Sequence, residues 1–150
     1  MIREAQKQDL PVMISMGYDM QMESDYSGLD YDPSKLFDLG YSMVFGGRRS
    51  VNAWVYIKDD EIVGMMVGTC VPHFFGSDKV ATELLLYIDP EHRGGLAAAR
   101  MIKSFVRWAQ AQDAKEILVG SSTGIHPRKT GAIYKALGFS EVGPILKKRF

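Results

Sequence analysis

Residues Leu84 to Ile102, LLLYIDPEHRGGLAAARMI, constrain this chain more than any other stretch. An apolar run of strand type meets Asp89-Pro90, then a tight Arg93-Gly94-Gly95 turn, then alanines that open an amphipathic helix. The first turn of a helix carries unpaired backbone N–H groups and a partial positive charge. A strand that delivers small residues to such a start builds a socket for phosphate. Arg93 supplies a cation there, and Gly94 and Gly95 let the backbone approach a ligand closely. Ala97, Ala98 and Ala99 keep the helix start free of bulk. No Gly-Lys-Ser/Thr follows, so the P-loop pattern fails and a nucleotide triphosphatase is excluded. The three-glycine dinucleotide fingerprint fails as well.

Around that segment the chain alternates helix and strand signals. Ile2 to Ala5 predicts a short strand. Asp9 is placed as the cap of a helix with Pro11 in its first turn, and Val12, Met13, Met16 and Met20 recur at helical spacing. Residues 24–32 read as an exposed loop rich in Tyr and Asp. Asp32-Pro33 opens a second helix to about Phe45. Ala53 to Lys58, a turn at Asp59-Asp60, and Ile62 to about Val71 form a hairpin, followed by a strand from Val80 to Ile88. A helix runs from about Leu96 to Gln112, with Ala98, Ile102, Phe105 and Ala109 on its inner face. Ile117 to Ser121 reads as a short strand and Thr130 to Leu137 as a helix stopped by Gly138. Phe139 onward predicts one or two closing strands. The order implies one α/β (mixed α+β) domain over residues 1–150. Its core is a mixed, mostly antiparallel sheet of six to seven strands with helices on both faces.

Charge narrows the partners. Lys plus Arg and Asp plus Glu number 18 each, so no net field draws the chain to nucleic acid or to a membrane surface. The balance is uneven along the sequence. Residues 19–38 hold six acids against Lys35 alone, and residues 91–150 hold eleven bases against four acids. The acidic part suits a cationic substrate and the basic part an anionic cofactor; two solvated faces are the other reading. The one cysteine, Cys70, lies in an apolar run and reads as buried filler in a reducing compartment. No signal peptide or run of about 20 apolar residues is present, so a cytoplasmic protein is expected. His73, His92 and His126 lack metal-ligand spacing, and no metal is expected.

The approach Ile88-Asp89-Pro90-Glu91-His92-Arg93-Gly94 resembles the pyrophosphate loop of the GNAT superfamily of N-acetyltransferases, which reads Gln/Arg-x-x-Gly-x-Gly/Ala. Counted from Arg93, Ala98 fits the last position and Leu96 stands where the family has glycine. Counted from His92, Gly95 and Ala97 fit. The Arg93 register keeps the spacing from Pro90, with Leu96 already part of the helix. Farther on, Ile133-Tyr134-Lys135-Ala136-Leu137-Gly138-Phe139 is similar to the family's closing segment. The resemblance implies acetyl-CoA as cofactor, held by Arg93, Gly94, Gly95, Leu96, Ala97 and Ala98. The main chain of Leu86, Tyr87 and Ile88 would pair with the pantetheine arm as an added strand. It implies that Tyr134 protonates the departing thiolate, a role that general acid catalysis rewards with about 10²–10⁴ in rate. Seven residues before this Tyr the family often has Asn; here Pro127 stands. The Arg-Gly-Gly turn followed by alanines is also similar to GNAT proteins encoded by bacteriophages, which would place the chain in a host cytoplasm.

Glu83 is the remaining candidate. Strand alternation puts it with Leu85 and Tyr87, opposite Leu84, Leu86 and Ile88. A carboxylate in an apolar strand is costly unless it is paired, hydrated or used. Relatives place a catalytic or water-relaying Glu at a similar position, so Glu83 is either the base for the acceptor amine or a structural partner of a nearby backbone. Ser121, Ser122 and Thr123 read as a turn or as hydrogen-bonding partners of the substrate, and Arg128 and Lys129 as solvated surface or contacts to the cofactor's 3′-phosphate. The expected function is transfer of acetyl from acetyl-CoA to a primary amine on a protein or a small cationic molecule, by direct attack. The acceptor would enter between the two N-terminal helices. A non-catalytic GNAT-like module that binds acyl-CoA or a partner protein is the alternative, and a homodimer is left open.

Overall fold

The computed structural model describes residues 1–47 and 49–150. Its elements are β1 (Ile2–Glu4), α1 (Leu10–Glu23), α2 (Pro33–Phe45), β2 (Val51–Lys58), β3 (Glu61–Pro72), β4 (Lys79–Ile88), α3 (Ala97–Ala111), β5 (Ala114–Leu118) and α4 (Pro127–Ala136). The strands form one sheet in the order β1-β2-β3-β4-β5. The first three pairings are antiparallel, and β4 with β5 is parallel. A parallel neighbour needs a long crossover, and α3 supplies it.

Local chemistry sets these elements. Asp59 and Asp60 both take positive φ, 50° and 63°, the backbone that a two-residue hairpin turn requires between β2 and β3. Asp32 caps α2 by accepting a hydrogen bond from the Lys35 amide at 3.0 Å, with Pro33 as the first helical residue. On α3, Met101, Ile102, Phe105 and Ala109 form a fully buried stripe at helical spacing.

Strand alternation sorts the core into two layers. Trp54, Met66, Cys70, Ala81 and Ile88 pack against α3 and Tyr134 of α4. Ala53, Val55, Met65 and Tyr87 face the other way, onto Met13 and Met16 of α1 and Val44 of α2. The expected mixed sheet with helices on both faces is therefore present, and Cys70 is buried as read. Among the described residues, no helix is long and apolar enough to cross a membrane.

Three expectations are corrected. The sheet has five strands rather than six or seven, because residues 140–150 pair with no strand. Pro144 removes a backbone donor in the middle of that run. Lys147 Nζ and Arg149 Nη2 instead hold the tail to the carbonyl oxygen of Asp25 at 3.0 and 2.9 Å. The strand expected at Ile117 to Ser121 runs from Ala114 to Leu118, starting just after Asp113 turns the chain with φ of 61°. Asp9 does not cap α1. Its carboxylate reaches back to the Arg3 guanidinium at 2.6 and 3.0 Å and to the Gln6 amide at 2.7 Å. Two bonds to a guanidinium, with full opposite charge, outweigh a single cap bond to a backbone amide, and the pair ties β1 to the start of α1.

Asp9→Asn should therefore destabilise the protein by about 2 kcal/mol at neutral pH. Arg3 holds the Asp9 carboxyl below the ordinary carboxylate range, through their hydrogen bonds first. Its contribution is present above that range and is lost as pH falls through the depressed value. Urea unfolding at pH 7 and at pH 3 or below should show the gap between wild type and variant closing in acid. A gap independent of pH would remove the pair from the stability account.

Candidate active site

β4 and β5 run together only from Lys79 to Thr82 on one side and from Ala114 to Leu118 on the other. Beyond Thr82, β4 continues to Ile88 with β3 as its strand partner among the described residues. The chain after β5 turns away through Gly120 to Thr123 and returns as α4. The two strands thus part like an open V, and the gap is a cavity of about 530 Å³. Its walls are Glu83 to Ile88 of β4, the turn from Arg93 to the first residues of α3, Gly120 to Thr123, and Tyr134. Ten of the eleven residues expected at the site line it; Leu96 does not and stands 68% exposed.

A β-bulge decides which way Glu83 faces. Val67 pairs with Leu85 and Gly68 with Glu83, so Leu84 is an extra residue without a partner on β3. The alternation inverts at that point. Ala81 and Glu83 share a face with Leu86 and Ile88, toward α3 and α4, while Leu85 and Tyr87 face α1. The expected grouping of Glu83 with Leu85 and Tyr87 is corrected accordingly. Gly68, across from Glu83, leaves room for Phe105: a methyl group there would lie 2.4 Å from the Phe105 ring.

Glu83 meets Tyr134 at this face. The Tyr134 hydroxyl donates to Glu83 Oε2 at 2.6 Å, from a side chain only 5% exposed. Burial pushes the Glu83 carboxyl above its ordinary value, partly opposed by the Tyr134 hydroxyl and the Gly120 backbone. Burial, then the Glu83 charge and the shared hydrogen bond, push the Tyr134 phenol far above its ordinary value. The phenol therefore stays protonated and the carboxylate is a stronger base than an exposed one.

The loop from Arg93 to Ala98 forms one wall of the cavity. Gly94 takes φ of +88°, open to glycine and strained for other residues. Leu96 has φ of −85° and ψ of 1°, an ordinary turn conformation, so the glycine usual at this position is not required. No side chain caps α3, so its first N–H groups are left without a side-chain acceptor, and Ala97 and Ala98 of that first turn line the cavity. Arg93 is held rather than free. Its Nε donates to the Ile88 carbonyl at 2.6 Å, and its two Nη atoms grip the Glu23 carboxylate at 2.5 and 2.6 Å. The guanidinium also lies 5.2 Å from the centroid of the Tyr87 ring, whose phenol is pushed up to about 12, chiefly by burial. Glu23, the last residue of α1, was not foreseen, because nothing local links positions 70 residues apart. His92, His126 and Lys129 complete a basic rim on the same cavity. Ser121 to Thr123 line it too.

Residues 49–141 match the acetyltransferase (GNAT) domain model. The chain belongs to the GNAT acetyltransferase family. As a GNAT domain it is an acyl-CoA-dependent N-acetyltransferase, with acetyl-CoA as the family's donor. The uncapped α3 start, the unpaired stretch of β4 and the basic rim fit that donor's pyrophosphate and pantetheine. No curated relative matches the sequence. Among solved structures, the GNAT chain is similar to a transcriptional regulator from Bacillus halodurans C-125, at 20% identity, covering 100% of this chain and 99% of that one with a TM-score of 0.80. A predicted acetyltransferase from Clostridium acetobutylicum with acetyl-CoA is 15% identical, with 99% and 95% covered and a TM-score of 0.80. AAC(6')-Iy in complex with the bisubstrate analogue CoA-S-monomethyl-acetylneamine is 15% identical, with 100% and 97% covered and a TM-score of 0.79. These likenesses concern the fold.

The close approach at Gly68 gives a direct check on the bulge region. Gly68→Ala should cost about 1–3 kcal/mol by overpacking Phe105, seen as a melting temperature several degrees lower. Adding Phe105→Leu should restore part of the loss. Additive destabilisation by the two changes would contradict the contact.

Proposed function

We propose that this GNAT domain transfers acetyl to a primary amine by direct attack, with Glu83 as the proton acceptor and Tyr134 as the proton donor. The observation that carries this is the 2.6 Å hydrogen bond between the two groups on the wall of the open V. Acetyl-CoA supplies a thioester carbonyl and a sulfur leaving group. The amides of Gly94 to Ala98 hold its pyrophosphate, and the main chain of Leu86 to Ile88 pairs with its pantetheine arm. Arg93 contributes by fixing the loop against Glu23 and Ile88, and by its charge near the phosphates.

The proton balance follows from the pair. An acceptor that arrives as an ammonium first loses one proton to solvent. The neutral nitrogen then forms the N–C bond while the C–S bond breaks. The surplus proton on nitrogen goes to Glu83. The phenolic proton of Tyr134 goes to sulfur, and the protonated Glu83 returns a proton along the existing hydrogen bond. Both residues end as they began. Backbone amides of the β4 edge polarise the thioester carbonyl. The acceptor, a small cationic amine or a protein amine, enters from the side of α1 and α2.

Tyr134→Phe should lower kcat about 10²-fold or more, followed as free thiol released from acetyl-CoA, with the acetyl-CoA KM little changed. An unchanged kcat would remove Tyr134 from the proton path. The acid limb of kcat/KM should lie above the ordinary carboxylate range, since burial raises the Glu83 carboxyl, and Glu83→Gln should abolish that limb. A limb that survives the substitution would point to another base. Calorimetric binding of acetyl-CoA without transfer to any amine would favour the non-catalytic module.

A further inference from the structure

The acceptor side of the sheet holds a second cavity of about 660 Å³, between α1, α2 and the strands. Its walls are mainly apolar, among them Met13 and Met20 of α1, Leu36 and Met43 of α2, and Met65 and Leu85 of the sheet, with Gln21, Asp30, Asp32 and Lys35 as the longer polar and charged side chains. It meets the Glu83–Tyr134 cavity at Leu84 and Leu85, which line both. Leu84 is the bulged residue, so the two spaces adjoin where the bulge turns Glu83 toward Tyr134.

Of the six acids of residues 19–38 that suggested a cationic substrate, only two line this space. Glu23 is paired with Arg93, and Asp32 accepts from the Lys35 amide. Of the wall residues, only Asp30 and Asp32 are acidic. A molecule carrying several ammonium groups would lose their hydration against methionine and leucine with little in return. A single ammonium on an apolar body fits better. The body gains by leaving water, and the nitrogen projects toward Leu84 and the proton-transfer pair. The volume suits a small molecule, and flexible methionine walls accept varied ring and chain shapes.

We infer that the acceptor is a small alkyl or aryl amine, its apolar body seated between α1 and α2 and its amino group presented past Leu84 to Glu83. This deepens the acetyl-transfer reading and rests on it for the location of the reacting end. It stands apart from that reading in its binding chemistry.

The test separates the two. The full-length protein is titrated calorimetrically with tryptamine, 2-phenylethylamine and spermidine, each with coenzyme A present, and turnover of the same amines is followed with acetyl-CoA. Tryptamine or 2-phenylethylamine should bind about tenfold or more tightly than spermidine, a ratio set by burial of one apolar ring or chain. Met20→Gln and Met43→Gln should each weaken aryl amine binding severalfold and leave acetyl-CoA binding unchanged, which also reports that the variants are folded. If the aryl amines bind in this way and are not acetylated, the cavity assignment stands and the acetyl-transfer reading fails. If spermidine is preferred, or if neither aryl amine binds, the apolar acceptor is overturned, whatever the turnover assay shows. Aryl amine binding that both methionine variants leave intact would overturn it too.

Discussion

One residue without a strand partner organises both faces of the sheet. Without the bulge at Leu84, strict alternation along β4 would send either Glu83 or the pair Leu85 and Tyr87 to the wrong side. With it, Glu83 joins Ala81, Leu86 and Ile88 toward α3 and α4, while Leu85 and Tyr87 stay packed on α1. The bulge is tolerated because the strand opposite carries Gly68, whose missing side chain is replaced by the Phe105 ring. Packing in the core and chemistry at the cavity wall therefore depend on the same local irregularity. A bulge beside a site where strand pairing ends is a common way to re-aim a side chain.

The second organising contact is electrostatic. Arg93 leaves the loop after β4, bonds back to Ile88, and grips Glu23 at the end of α1. Both side chains are partly exposed, so the pair is worth little as bulk stability. Its value is positional. It fixes the loop that precedes α3 relative to the helix that walls the acceptor side. The same pairing uses up one of the acids that made residues 19–38 look like a cation trap. The electrostatics of the acceptor side are thus weaker than the composition of that segment suggests.

Much of this was legible in the sequence where the signal is local. The strand, turn and helix from Leu84 to Ile102, the Asp59-Asp60 hairpin and the Asp32 cap all follow from spacing within a few residues, whereas Tyr134 was singled out only by the family resemblance of its segment. What was not legible depends on distant partners. The face of Glu83 was misassigned because a period of two cannot reveal an inserted residue. Arg93 was read as free because Glu23 lies far away in the chain. Asp9 looks like a helix cap until Arg3 is seen beside it. One or two closing strands were expected from Phe139 onward, yet Pro144 lacks a backbone donor and the bonds from Lys147 and Arg149 to Asp25 hold that tail outside the sheet.

The two cavities also make chemical sense together. An amine must lose its proton before it can attack, and an apolar seat works toward that end by disfavouring the charged form. Burial acts in the same direction on Glu83, raising its affinity for a proton. Burial, with the Glu83 charge beside it, also keeps the Tyr134 phenol protonated, as the proposed proton donor requires. A site of this kind needs no array of charges to drive the transfer. It needs a dry acceptor pocket, a proton-sharing pair, and a strand that presents one to the other. In the reading we propose, β4 does so at Leu84.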